Sequence, residues 1–180
     1  MNINKSILLL AFSALFFSGC ASPATTEGMK AQILNLQNKH SFSVSVQTEG
    51  GRKTNPLWTS EISSESFAQA IQESIAESGL FRSVVTGKSG DYLLEVNLIN
   101  MDKPLVGFDM TVNMAVNWTL THIPTKKIVS QDLISKSYTA TVGDAVVAIR
   151  RLRLAEEGAA RKNIQEGLNR ISQLKLDGNE

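Results

Sequence analysis

The 180-residue chain has one cysteine, Cys20, so no internal disulfide can form and no cysteine-built metal cluster can assemble. It has only two histidines, His40 and His122, and neither sits in an HExxH or HxH ligand spacing. Charge of one sign is missing as well. Eighteen Lys and Arg face 17 Asp and Glu, a formal net charge of +1, so no strong field gathers nucleic acid or anionic lipid. No apolar run reaches the roughly 20 residues that a bilayer crossing requires. Nucleotide-binding glycine loops, a Walker loop, a G-x-S-x-G elbow and internal repeats are all lacking, which leaves the usual enzyme scaffolds without a sequence basis. What remains is ordinary globular composition, 42% hydrophobic and 19% charged, at a length that suits one domain with appendages.

The first twenty residues read as an address. Lys5 supplies a positive n-region, and Ile7 to Phe17 is an uncharged apolar run of signal-peptide length. Ser18 and Gly19 then precede Cys20. Phe17-Ser18-Gly19-Cys20 resembles the lipobox of bacterial lipoproteins, with Phe17 in place of the usual leucine. The resemblance implies a diacylglyceryl group on the Cys20 thiol, cleavage after residue 19 and acylation of the new amine. Ala21, where an aspartate would favour inner-membrane retention, implies the outer membrane and its periplasmic side. Several acyl chains anchor stably, because each buried methylene contributes about 0.8 kcal/mol. Removing residues 1 to 19 takes one lysine and leaves 17 basic against 17 acidic residues.

The expected organisation is a signal peptide over 1–19, a lipidated cysteine and tether over 20–40, and a single domain over 41–176. Ala21 to Gly28 is small and polar, as expected of a structureless tether, and Met29 to Lys39 reads as loop or short helix. Phe42, Val44 and Val46 alternate with polar residues, which predicts a strand closed by Gly50-Gly51. A helix opened by Ser63 or Ser64 carries Phe67, Ala70, Ile71 and Ile75 on one stripe and ends at Gly79.

Asp91 to Met101 alternates as a second strand. Met110 to Thr121 forms a third with one dry face (Met110, Val112, Met114, Val116, Trp118, Leu120) and one wet face that includes Thr119. Ile128 to Thr139 alternates less well, as a fourth strand with a bulge would. Asp144 or Thr141 is placed to open a last helix running to about Leu174, in which Gly158 and Gly167 allow close approach to the sheet or a bend. The fold class is therefore α+β, a two-layer sandwich with a mainly antiparallel sheet and two helices on one face, in the order strand-helix-strand-strand-strand-helix.

Helix Phe67-Ala68-Gln69-Ala70-Ile71, the junction Ser78-Gly79-Leu80-Phe81 and Asp91-Tyr92-Leu93-Leu94-Glu95-Val96, taken with the lipobox, resemble two groups of small lipoproteins. These are periplasmic lipoproteins of the YajG type and the auxiliary lipoproteins of lipid-transport ABC systems of the PqiC type. The resemblance implies a non-enzymatic envelope role, without cofactor or nucleic acid, and supplies no binding residues. The alternative is an enzyme acting on envelope glycolipid or peptidoglycan, with acids converging in an apolar cleft.

Two further patches are candidate sites. Arg150, Arg151 and Arg153 lie within one helical turn and offer guanidinium forks to an anion, against the alternative of a helix face neutralised by Glu156 and Glu157. Leu105, Val106 and Phe108 place three apolar side chains in the charged-flanked connection Asp102 to Asp109, either folded over the open end of the sandwich or exposed for a partner.

Overall fold

The computed structural model describes residues 22–51 and 61–176. Cys20, the expected signal peptide before it and the Thr54-Asn55-Pro56 break lie outside the described residues. Five strands form one mixed sheet: β1 (His40–Glu49), β2 (Phe81–Val85), β3 (Tyr92–Asp102), β4 (Met110–His122) and β5 (Lys127–Ala140), in the spatial order β2-β1-β3-β4-β5. A single helical turn, α1 (Thr26–Met29), precedes β1; α2 (Ser64–Ser78) and α3 (Ala148–Gln173) supply the second layer. The α+β sandwich read from periodicity is the architecture found.

Helix α2 forms as its sequence dictates. Ser63 accepts a hydrogen bond from the Ser66 amide at 3.1 Å, and Gly79 closes the helix at φ 63°, a left-handed conformation costly for other residues. Its apolar stripe, Phe67, Ala70, Ile71 and Ile75, is buried.

One strand escaped the sequence pattern. β2 is only five residues long, too short to show a period, and it pairs parallel with β1 because α2 carries the chain back across the layer between them. β3 pairs parallel on the other side of β1, while β3–β4 and β4–β5 are antiparallel through short connections. The sheet is thus mixed, and β1 is interior. Asp91 locks this crossing: its carboxylate accepts from the Ser43 amide and hydroxyl at 2.7 Å each, and these donors hold its pKa below the usual carboxylate range.

The dry face of β4 lies under the helices as expected, with Val112, Val116, Trp118, Phe67, Ile71, Ile164 and Leu168 all buried. The Trp118 indole N–H donates to Asn163 Oδ1 at 2.8 Å, and Asn163 in turn donates to the carbonyl oxygens of Ile134 and Met114. Thr119, expected on the wet face, is instead buried. It lies mid-sheet between Glu95 and Gln131, and it accepts from Asn117 Nδ2.

The bulge expected in the fourth strand is present. Thr121 pairs with Ile128 and Leu120 with Ser130, leaving Val129 as the extra residue, and a second bulge falls at Ile99. Alternation along β5 is weak for a second reason. Its positions facing α3 include Asp132 and Lys136, which pair with Arg170 at 2.8 Å and Glu166 at 3.0 Å, so Leu133 faces solvent.

Two expectations are corrected by local hydrogen bonding. The segment from Ser22 onward is docked and not a free tether: Ala24, Met29 and Ala31 are buried, and the Ala31 amide donates to Ser74 Oγ at 3.0 Å. Asp144 does not open α3. Its carboxylate closes a turn by accepting from the Thr141 amide and hydroxyl, and the helix starts at Ala148 with Val147 as a cap that offers no side chain.

Candidate functional site

The ends of three strands and one helix meet at a single end of the sandwich. The β3 terminus at Asp102 pairs with Asn113, Met110 at the start of β4 pairs with Ala140 at the end of β5, and α3 begins beside them. Two connections therefore project from this end, residues 103–109 and 141–147. In the first, Leu105, Val106 and Phe108 are 95, 85 and 86% exposed. These side chains do not fold over the end of the sandwich. In the second, Val146 is 84% exposed, with Val142 and Val147 half exposed.

Beneath these apolar tips the backbone is fastened by charge. Arg151 is buried, and its guanidinium donates to the carbonyl oxygens of Ala145 and Val146 at 2.8 and 2.6 Å and to that of Gly107 at 3.4 Å, tying the two connections together. Lys103 stands at the base of the first connection, with Nζ 2.9 Å from Glu61 and 3.0 Å from the buried Glu156. Arginine suits this carbonyl-binding role because its fork offers several fixed donors.

The three arginines are thus separated by role. Arg151 serves loop carbonyls, Arg153 donates to Ser22 Oγ at 3.0 Å and lies beside Glu157, and Arg150 is exposed.

The start of the described chain lies at this same end. Ala24 donates its amide to the Glu61 carbonyl at 3.2 Å, and Glu61 is the ion-pair partner of Lys103. The Thr25 amide and hydroxyl both donate to Glu157 at 2.9 Å, one helical turn from Arg153. Spacing alone places Glu156 and Glu157 on a helix face that neutralises the arginines. They are buried, and the signal that marks them is their adjacency in a helix whose neighbours Ala155, Ala159 and Ala160 are all small and buried.

The opposite end is packed. His40, Phe81, Tyr92 and His122 form a chain of ring contacts with centroids 5.0 to 6.4 Å apart. Both histidines are buried. His40 Nε2 lies 3.1 Å from the Ile171 carbonyl oxygen, and burial lowers its pKa below the ordinary histidine value. Among the described residues no group of three His, Cys, Asp or Glu is placed to hold a metal ion.

Three carboxylates are engaged as anions. Asp91, Asp144 and Glu166 are each held below the usual carboxylate range by donors, from Ser43, Thr141 and Arg170 in turn. A depressed pKa keeps a carboxyl group from serving as a general acid at neutral pH. One cleft of about 100 Å³ opens at the exposed end, between Gly50, Glu61, Leu98 and Lys103, well below the volume of an ordinary small-molecule pocket. No helix among the described residues is long and apolar enough to cross a membrane.

No family model matches the chain, and no curated protein does. Solved structures do share its fold. Protein XCC0632 of Xanthomonas campestris, of the family DUF330, superposes with a TM-score of 0.61 at 11% identity, over 78% of this chain and 89% of that one. The hypothetical protein CT253 of Chlamydia trachomatis gives 0.54 at 7% identity, over 73 and 96%. A candidate lipoprotein of Caulobacter crescentus CB15 gives 0.50 at 14% identity, over 72 and 87%. The fold is therefore one that bacterial proteins, a candidate lipoprotein among them, adopt at 7 to 14% identity to this chain.

Proposed function

We propose that the chain is a lipid-anchored envelope lipoprotein, acylated at Cys20 and held on the periplasmic face of the outer membrane, where it serves as a non-catalytic binding or accessory module of an envelope complex. A lipid-transport complex, as the PqiC-type resemblance implies, suits this reading. The observation that carries it is the apolar end, where Leu105, Val106 and Phe108 stand almost fully exposed on a connection fastened by Arg151 at Gly107 and by Lys103 at its base. Exposed apolar side chains rimmed by charge mark an interaction site, because solvation alone disfavours them.

The test is a Leu105→Ser, Phe108→Ser double variant. It is expected to keep the parent melting temperature, since neither side chain is buried, and to lose the crosslinks that a photoreactive residue at position 106 forms with envelope components in native membranes. A large fall in melting temperature with crosslinks intact would assign the loop to stability instead.

A further inference from the structure

The chain has almost no slack between its anchor and its folded body. Ser22 receives a hydrogen bond from Arg153, Ala24 is buried and bonded to Glu61, and Thr25 caps α1 while donating to Glu157. Cys20 precedes Ser22 by two residues, and covalent geometry keeps their Cα atoms within about 7 Å. An acyl group on Cys20 therefore brings the bilayer to the end of the sandwich where Ser22 docks. That end is the one bearing Leu105, Val106, Phe108 and Val146, because Ala24 reaches Lys103 through Glu61, and Arg153, which holds Ser22, lies in the first two turns of α3 with Arg151, which reaches Gly107.

We infer that the occupant of this apolar end is the bilayer that carries the acyl chains, with Leu105, Val106, Phe108 and Val146 immersed in the lipid surface and the sheet standing away from it. The inference rests on the proposed acylation of Cys20. Lipid suits these side chains because all four are purely hydrocarbon, whereas contact with a protein commonly adds polar anchors. Asp102, Asp109, Asp144 and Arg150 are exposed in or next to the two connections, so charge adds no attraction to an anionic surface and attachment depends on apolar burial together with the acyl chains. Two loops and the lipid attachment make three points, enough to fix the domain's orientation.

Mature protein purified from membranes and carrying Val106→Cys, or Lys127→Cys at the opposite end of the sheet, would be reconstituted in protein-free phosphatidylethanolamine and phosphatidylglycerol vesicles. The Cys20 thiol is consumed by its lipid, so an environment-sensitive thiol fluorophore reports the introduced position alone. The probe at 106 is expected to be several-fold less accessible to iodide than the probe at 127, to be quenched by lipid-borne quenchers, and to keep both properties at high salt. Equal accessibility of the two probes in floating vesicles overturns the inference. A probe at 106 that is shielded in native membranes but wet in protein-free vesicles also overturns it, and leaves the proposed binding role standing. Protein that does not float with the vesicles at all overturns the acylation reading together with the inference.

Discussion

Lys103 shows how far a residue's neighbours can change its meaning. In the sequence it is a charge flanking an apolar loop; in the fold its ammonium bridges Glu61 and the buried Glu156. Removing one partner of a buried ion group leaves uncompensated charge, at a cost of about 3 to 5 kcal/mol. Lys103→Met is therefore expected to lower the denaturation midpoint strongly, whereas Lys88→Met, at an exposed turn, should leave it nearly unchanged. Urea titrations of the two variants compare them directly. His40 makes the second residue-scale case. Burial lowers its pKa below the ordinary histidine value, so the unfolded chain takes up this proton at a higher pH than the folded one. Stability then rises with pH through that range and falls on acidification below it. Melting temperature is expected to drop between neutral pH and about pH 5, above the range where carboxylates protonate, and to drop less in His40→Phe.

Among the elements, α3 and β5 explain each other. An edge strand risks pairing with another chain, and charged residues aimed inward limit that risk. Asp132 and Lys136 occupy such positions and are answered by Arg170 and Glu166 on α3, which leaves an irregular hydrophobic pattern in β5. The helix approaches closely because it carries glycine where the sheet presents rings. A Cβ at Gly167 would lie 2.6 Å from the Trp118 ring, and one at Gly158 2.3 Å from Tyr138. Alanine in a helix normally gains about 1 kcal/mol over glycine. Overpacking a tight core costs about 1 to 3 kcal/mol. At Gly167 the second effect wins, because Trp118 is buried and hydrogen-bonded to Asn163 and has nowhere to move. Gly167→Ala is expected to destabilise, and Gly158→Ala to do so less, since half-buried Tyr138 can swing outward; thermal melts rank them.

For the whole molecule, the proposed acylation of Cys20 is what the first test addresses. Cys20→Ser is expected to yield either a soluble periplasmic form or an unprocessed precursor held by its leader, and fractionation with detection of the mature amino terminus distinguishes them. Mature Cys20→Ser protein that pellets as firmly as the parent would contradict an acyl anchor; weak residual pelleting fits the loop contacts. The sequence by itself determined the local choices: the stripe and caps of α2, the dry face of β4, the bulge in β5 and the unusual loop at Leu105, Val106 and Phe108. Each is written in the spacing of adjacent residues, and periods of 2 and 3.6 survive without knowledge of any partner. Tertiary structure alone decided the rest. β2 is too short to carry a period, the parallel pairing of β1 depends on which side of it the chain returns, and the polar segment at Ser22 to Thr25 docks only because Glu61, Arg153 and Glu157 wait for it. Those partners lie dozens of residues away along the chain, and a contact between distant groups leaves no trace in the composition or spacing of either one.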